Sequence, residues 1–350
     1  MDMVTVHSGK LDENLELTMI RTRPVDFDLG VKYVQNCLSV KSPEFAAIQA
    51  AAAEHQIAVS LGFSERDGES VYISQALVSA DGVLAMKRRK MKPTHMERTI
   101  FGDATGGECL AAPVDVPDIG KVGSLSCWEH IQPLLKFWTF SQGEQIHVAA
   151  WPPLDSFADG SPGFYSMSDE GCLTTAKVYA IESQTFVLHC GALLTKPGLE
   201  LMGTVGSPLM GATAVGKSAI LGPDGRLLAT TKTGGEELLV ADLDLSLITK
   251  TKTFADASGH CESFLVSASA NLVLTRAQIV DPTCSGWAPI PLRDRLFEWQ
   301  REALESVIAS KSVHVVAGTA IQALKVSREN HHAQVIVNAA FDVMPSPGHN

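Results

Sequence analysis

The spacing of apolar and polar residues divides the chain into strands and helices from about Val31 onward. Glu44 to His55 has helical apolar spacing, with Ser42 placed as N-cap and Pro43 at the first helical position. Ile57 to Phe63 is an apolar run short enough for a buried strand. Ser70 to Val78 and Val83 to Lys90 alternate on either side of an Asp81-Gly82 turn, which predicts a hairpin. Lys121 to Cys127 and Ile146 to Trp151 read as further buried strands, the second closed by Pro152 and Pro153. Helices are predicted over Ile131 to Gln142 and Cys172 to Glu182, and a strand over Thr185 to Cys190. Lys217 to Leu221 and Leu227 to Thr231 flank a turn built on Pro223, Asp224 and Gly225. A strand over Glu236 to Leu243 and a short helix over Leu245 to Lys250 complete the series. Strands alternating with helices and followed by hairpins predict an α/β chain with two sheets between helix layers.

The ends depart from this pattern. Met1 to Pro24 is polar, with weak helical spacing at Leu11, Leu15 and Leu17. Past Cys261 an amphipathic helix is expected over Pro291 to Ser310, and short strands over Val313 to Val316 and Gln334 to Val337. Two stretches read as loops. Asp103 to Val116 is Gly-rich, and Asp155 to Gly171 is long enough for a lid or an oligomer contact.

Composition narrows the class. A chain of 350 residues that is 45% apolar can bury a sizeable core. Its net charge of -11 argues against a nucleic-acid partner, whose phosphates require clustered Lys and Arg. No run reaches the roughly 18 apolar residues of a membrane span, and the start lacks a signal-peptide core, so a cytoplasmic protein without membrane partners is expected. The seven cysteines, at 37, 109, 127, 172, 190, 261 and 284, show neither CxxC pairs nor metal-ligand spacing. Reduced thiols, no metal and no cofactor are therefore expected.

Cys127 carries the candidate chemistry. It stands where a strand gives way to a helix, a turn that exposes sulfur beside free backbone N–H groups. Taken alone, it reads first as a buried structural cysteine. Its neighbours change that reading. Lys87 to Phe101 reads KRRKMKPTHMERTIF, with Lys90 and Glu97 seven apart, and Glu129 and His130 directly follow the Cys127-Trp128 pair.

Three motifs in order, Arg88 to Arg98, Cys127 to His130 and Gly143 to Pro152, resemble the nitrilase branch of the carbon-nitrogen hydrolases, in its fungal form. The segment TFADASGH, Thr253 to His260, continues the likeness, which spans about Thr18 to His260. The resemblance implies a four-layer α-β-β-α sandwich. Its domains would be an atypical segment 1–17, a hydrolase domain 18–260 and an atypical extension 261–350. It implies a thiol-dependent enzyme converting nitriles to carboxylic acid and ammonia through a cysteine thioimidate. Cys127 would be the nucleophile, Lys90 would stabilise the developing negative nitrogen, and Glu97 would orient Lys90. Glu129, His130 and Trp151 would line the substrate site. Glu129 and His130 read equally as caps of the following helix. The partners implied are a small nitrile or cyanide and further copies of the chain, as a homo-oligomer.

One part of the family pattern is not met. A family member begins with a strand, a helix and a strand ending in F-P-E, whose glutamate is the general base, and no such motif precedes Thr18. Glu13 and Glu16 lack its flanking aromatic and proline. A sheet without that first strand is expected to expose unpaired edges. Hydration of cyanide to formamide, or a catalytically impaired relative acting as an oligomer subunit, are the alternative functions.

Overall fold

The computed structural model describes residues 27–259, except 111, 159–162, 203–204, 207–210, 212, 214–215 and 233–236, together with 321–326 and 333–338. The elements expected over Met1 to Pro24, Pro291 to Ser310 and Val313 to Val316, and His260, lie outside the described residues. Two sheets of six strands form the centre.

Helices α1 (Phe27–Gln35) and α2 (Pro43–His55) lead into the first sheet. Ser42 caps α2 as the sequence predicts, its Oγ accepting from Phe45 N at 3.2 Å with Pro43 in the first turn. Strands β1 (Ala58–Asp67), β2 (Ser70–Val78) and β3 (Leu84–Arg89) then form an antiparallel meander. The β2–β3 turn takes Gly82 at φ 82°, where a Cβ would press on Gln49 O at 2.6 Å. Strand β1 runs past the apolar segment through Ser64 and Glu65, because Glu65 finds Arg89, Lys87 and Ser74 as partners.

The second sheet holds β4 (Val114–Val116), β5 (Gly120–Ser126), β6 (Ile146–Trp151), β7 (Phe186–Gly191), β8 (Ala219–Leu221) and β9 (Leu227–Thr230), in that order. Its centre, β5-β6-β7, is parallel, with α3 (Pro133–Phe140) and α4 (Asp169–Ser183) in the crossovers. The helix expected over Ile131 to Gln142 is α3, preceded by a 3-10 turn, Cys127–Ile131. Proline lacks an N–H, so α3 starts at Pro133. The chain continues through α5 (Lys196–Met202), β10 (Leu238–Leu243) and α6 (Ser246–Lys252).

The layers follow from which face each strand buries. Ala58, Leu77 and Met86 of the first sheet pack against Val122, Ile146, Val148, Phe186 and Leu188 of the second. The alternate residues Val59, Leu61, Ala76 and Val78 pack under Phe45, Ile48 and Ala52 of α2. On the far side Leu125, Ala149 and Val187 pack under Leu135 and Phe140 of α3 and Ala176, Tyr179 and Ala180 of α4. The result is helix, sheet, sheet, helix, the four-layer α/β arrangement expected.

The expected open edge on β1 is not found. Strands β11 (Ile321–Val326) and β12 (Ala333–Asn338) lie between β10 and β1, so the first sheet runs β10-β12-β11-β1-β2-β3. Ala58 to Leu61 pairs antiparallel with Ile321 to Leu324, and β12 pairs with all of β10. The carboxyl-terminal segment thus supplies backbone donors and acceptors to a strand that would otherwise leave them unmatched.

Candidate active site

Strand β5, the outer member of the parallel trio beside β4, delivers Cys127 at its carboxyl end. Cys127 takes φ 52°, a left-handed conformation rare for a residue with a Cβ, and begins the 3-10 turn. Glu129 closes that turn by accepting from Ser126 N at 2.9 Å. The described cysteines 37, 109, 127, 172 and 190 are all buried. Burial pushes the Cys37 thiol up to about 12. Burial, and then the neighbouring Cys127, raise Cys172 further. Cys127 alone of the five sits at a left-handed turn.

Lys90 follows the end of β3, where its N–H donates to Ile73 O at 2.7 Å. Its Nζ lies 2.6 Å from Glu97 Oε2, with both side chains buried. Burial works to raise the Glu97 carboxyl, yet the Lys90 ammonium and the Thr94 N–H help to hold it well below the usual range. Glu97 does not pair with Arg98 or Arg88. Arg98 donates to Pro93 O and Arg88 is committed elsewhere.

That commitment ties the two motifs together. Arg88 makes a two-pronged pair with Glu129, with both N–O distances 2.7 Å. Glu129 Oε1 also accepts from Met91 N at 2.9 Å. The residue after Lys90 is therefore bonded to the residue two past Cys127. Arg88 is 1% and Glu129 1% exposed. With both carboxylate oxygens engaged, Glu129 holds the turn, as the capping reading expects. Burial raises its pKa, but the Arg88 charge more than reverses this.

His130 is buried against the backbone of the Cys127 turn. Its Nδ1 is 2.7 Å from Cys127 O and its Nε2 is 3.0 Å from His147 Nε2. Its ring stacks on Trp151 at 5.2 Å between centroids. Trp151, ending β6, meets Trp128 edge-on, and its Nε1 has no hydrogen-bond partner among the described residues. His130 thus contacts the Cys127 backbone, and Trp151 packs on the His130 ring. Motif reading gave no part to Arg88, Glu144 or Tyr179, all of which are buried. Arg88 and Glu144 sit inside the quoted motifs, and a buried charge in a motif without an assigned task was the available signal.

The left-handed Cys127 at a strand end is thus linked through the buried Arg88–Glu129 pair to the segment that bears Lys90 and Glu97. The carbon-nitrogen hydrolase family pattern matches residues 22–253, and this chain belongs to that family. Arylacetonitrilases from Hypocrea virens and Aspergillus kawachii are each 53% identical to it over 243 residues, 69% of this chain and 73% of theirs. One from Macrophomina phaseolina is 49% identical over 252 residues, with the same coverage. The chain is thus a nitrilase-type hydrolase of the fungal branch.

Proposed function

We propose that this enzyme hydrolyses organic nitriles, arylacetonitriles foremost, to carboxylic acid and ammonia, with Cys127 as nucleophile and Lys90 and Glu97 as its catalytic partners. The observation that carries the reading is the left-handed turn at Cys127, bonded through Glu129 to the segment bearing the buried Lys90–Glu97 pair. The names of the relatives support the substrate class.

The Cys127 sulfur adds to the nitrile carbon, losing its proton as the nitrogen gains one, and a thioimidate forms. Negative charge gathers on that nitrogen, and the Lys90 ammonium is the donor that meets it. Glu97, held by Lys90 and Thr94, keeps the ammonium aimed. Water adds to the thioimidate carbon, the C–N bond breaks and ammonia leaves a thioester. A second water releases the acid and restores the thiol. Breaking the C–S bond after the first water would give amide instead, the route from cyanide to formamide. Glu129, His130 and Trp151 shape the turn and its wall. Self-association belongs to the same reading, since Ile131, Leu134, Val178 and Ile181 leave apolar surface exposed on the α3 and α4 layer.

The test is acid, amide and ammonia release from phenylacetonitrile, aliphatic nitriles and cyanide, with Cys127→Ala alongside. Acid and ammonia from the arylacetonitrile, lost in the variant, are expected. Formamide from cyanide alone would transfer the reading to a hydratase. Equal turnover by Cys127→Ala, or none by the parent chain in its folded form, would refute it.

A further inference from the structure

Behind Cys127 runs a series of buried polar side chains that the proposed hydrolysis leaves unused. Tyr179 Oη donates to Glu144 Oε2 at 2.6 Å. Glu144 Oε1 lies 2.8 Å from His147 Nδ1, His147 Nε2 lies 3.0 Å from His130 Nε2, and His130 Nδ1 lies 2.7 Å from Cys127 O. None of the four side-chain-bearing residues is more than 2% exposed.

A carbonyl oxygen has no proton to give, so His130 carries its proton on Nδ1. Neutral His130 then accepts at Nε2, which requires His147 to donate from its own Nε2. Neutral His147 accepts at Nδ1. Among the described residues, the one donor left for that nitrogen is a protonated Oε1 on Glu144. We propose that Glu144 is held as a neutral carboxylic acid and, through His147 and His130, acts as a positioning residue that fixes the Cys127 carbonyl and its left-handed backbone.

The charged alternative would place a carboxylate and an imidazolium in the same dry layer. Burial lifts Glu144 to about 8, against the pull of the Tyr179 hydroxyl. Burial, and then His147, push His130 down to about 3. Burial and the Arg88 charge lower His147. The other groups facing the series are Glu129, paired with Arg88, Lys136 and His189 toward His130, and Glu182 toward Tyr179. Space is shaped for this carboxyl as well. Gly123 on β5 lies against Glu144 Oε1, and any Cβ there would overlap it and meet Pro113 Cγ at 3.2 Å.

The inference rests on Cys127 being the nucleophile, and its test separates the two claims. Glu144→Gln preserves the pattern, since its amide N–H can donate to His147 while its oxygen accepts from Tyr179. Glu144→Leu cannot. Three readings are taken on folded protein at neutral pH: the rate of Cys127 alkylation by iodoacetamide, kcat and KM with phenylacetonitrile, and the infrared band of a protonated carboxyl. Glu144→Leu is expected to slow alkylation and kcat by up to about 10²-fold with KM little changed, the scale of a misplaced reacting group. Glu144→Gln is expected to restore both to within about threefold and to remove one protonated-carboxyl band. Should Glu144→Leu fail to fold, the Gln variant and the parent's infrared spectrum still decide. Loss in Glu144→Gln as deep as in Glu144→Leu, or no band to remove, would overturn the neutral acid. Unchanged alkylation and kcat in folded Glu144→Leu would overturn the positioning role. Alkylation and infrared spectra do not depend on nitrile turnover, so an inactive parent would refute the function without deciding this inference.

Discussion

Two glutamates near the Cys127 turn are buried to the same depth, yet one is ionised and the other neutral. Glu129 receives both prongs of Arg88 and the N–H groups of Ser126 and Met91. Glu144 receives one hydroxyl and faces an imidazole nitrogen. Burial alone favours the neutral acid in both places. Four N–H donors, two of them on a guanidinium, reverse that preference for Glu129, and among the described residues nothing comparable reaches Glu144. The ionised side braces the turn against the strand end bearing Lys90, and the neutral side orders a directional set of hydrogen bonds onto Cys127 itself.

Removing the cation from the ionised side has the largest expected effect on stability. Arg88→Met strands a buried carboxylate and is expected to cost about 3–5 kcal/mol in urea unfolding. The double variant Arg88→Met with Glu129→Leu should recover much of that loss, because no buried charge is then left unpaired. A single variant as stable as the parent would mean that Glu129 is not ionised, and the contrast between the two sides would collapse.

A smaller effect, read against pH, sharpens the contrast from the neutral side. Between the ordinary carboxyl value of 4.5 and about 8, the folded chain keeps a proton on Glu144 that the unfolded chain releases. Its stabilising contribution is whole below 4.5 and is lost as pH rises through that window, at up to about 1.4 kcal/mol per pH unit. Glu65 shows the opposite sign. Burial would raise it, but Arg89, Lys87 and Ser74 bring it down to about 2, so its contribution holds above 4.5 and is lost as pH falls toward 2. Unfolding measured from pH 3 to 9 should therefore show Glu144→Gln flattening the limb above 4.5 and sparing the acid limb. An unchanged upper limb would contradict the assignment.

Local periodicity made much of the fold legible. Strand β6 falls on the predicted residues, and α2 begins at the predicted cap, because an apolar run closed by prolines and a Ser-Pro start are local signals. Cys127, Lys90 and Glu97 were legible through motif order. What stayed hidden is long-range. Arg88 meets Glu129 across 41 residues. The extension of β1 into Ser64 to Asp67 depends on partners some twenty residues away on β3. The pairing of β1 with β11 joins segments whose sequences carry no trace of each other. Charge state was hidden for the same reason, since Glu129 and Glu144 are identical residues whose partners only the fold supplies.

The most direct measurement of the central claim is rapid quenching of the enzyme with phenylacetonitrile, followed by mass spectrometry of its peptides. The account predicts a transient phenylacetyl adduct on the peptide containing Cys127, formed before acid release. Acid released with no adduct at any time point, or an adduct on Cys109 or Cys172 instead, would contradict it.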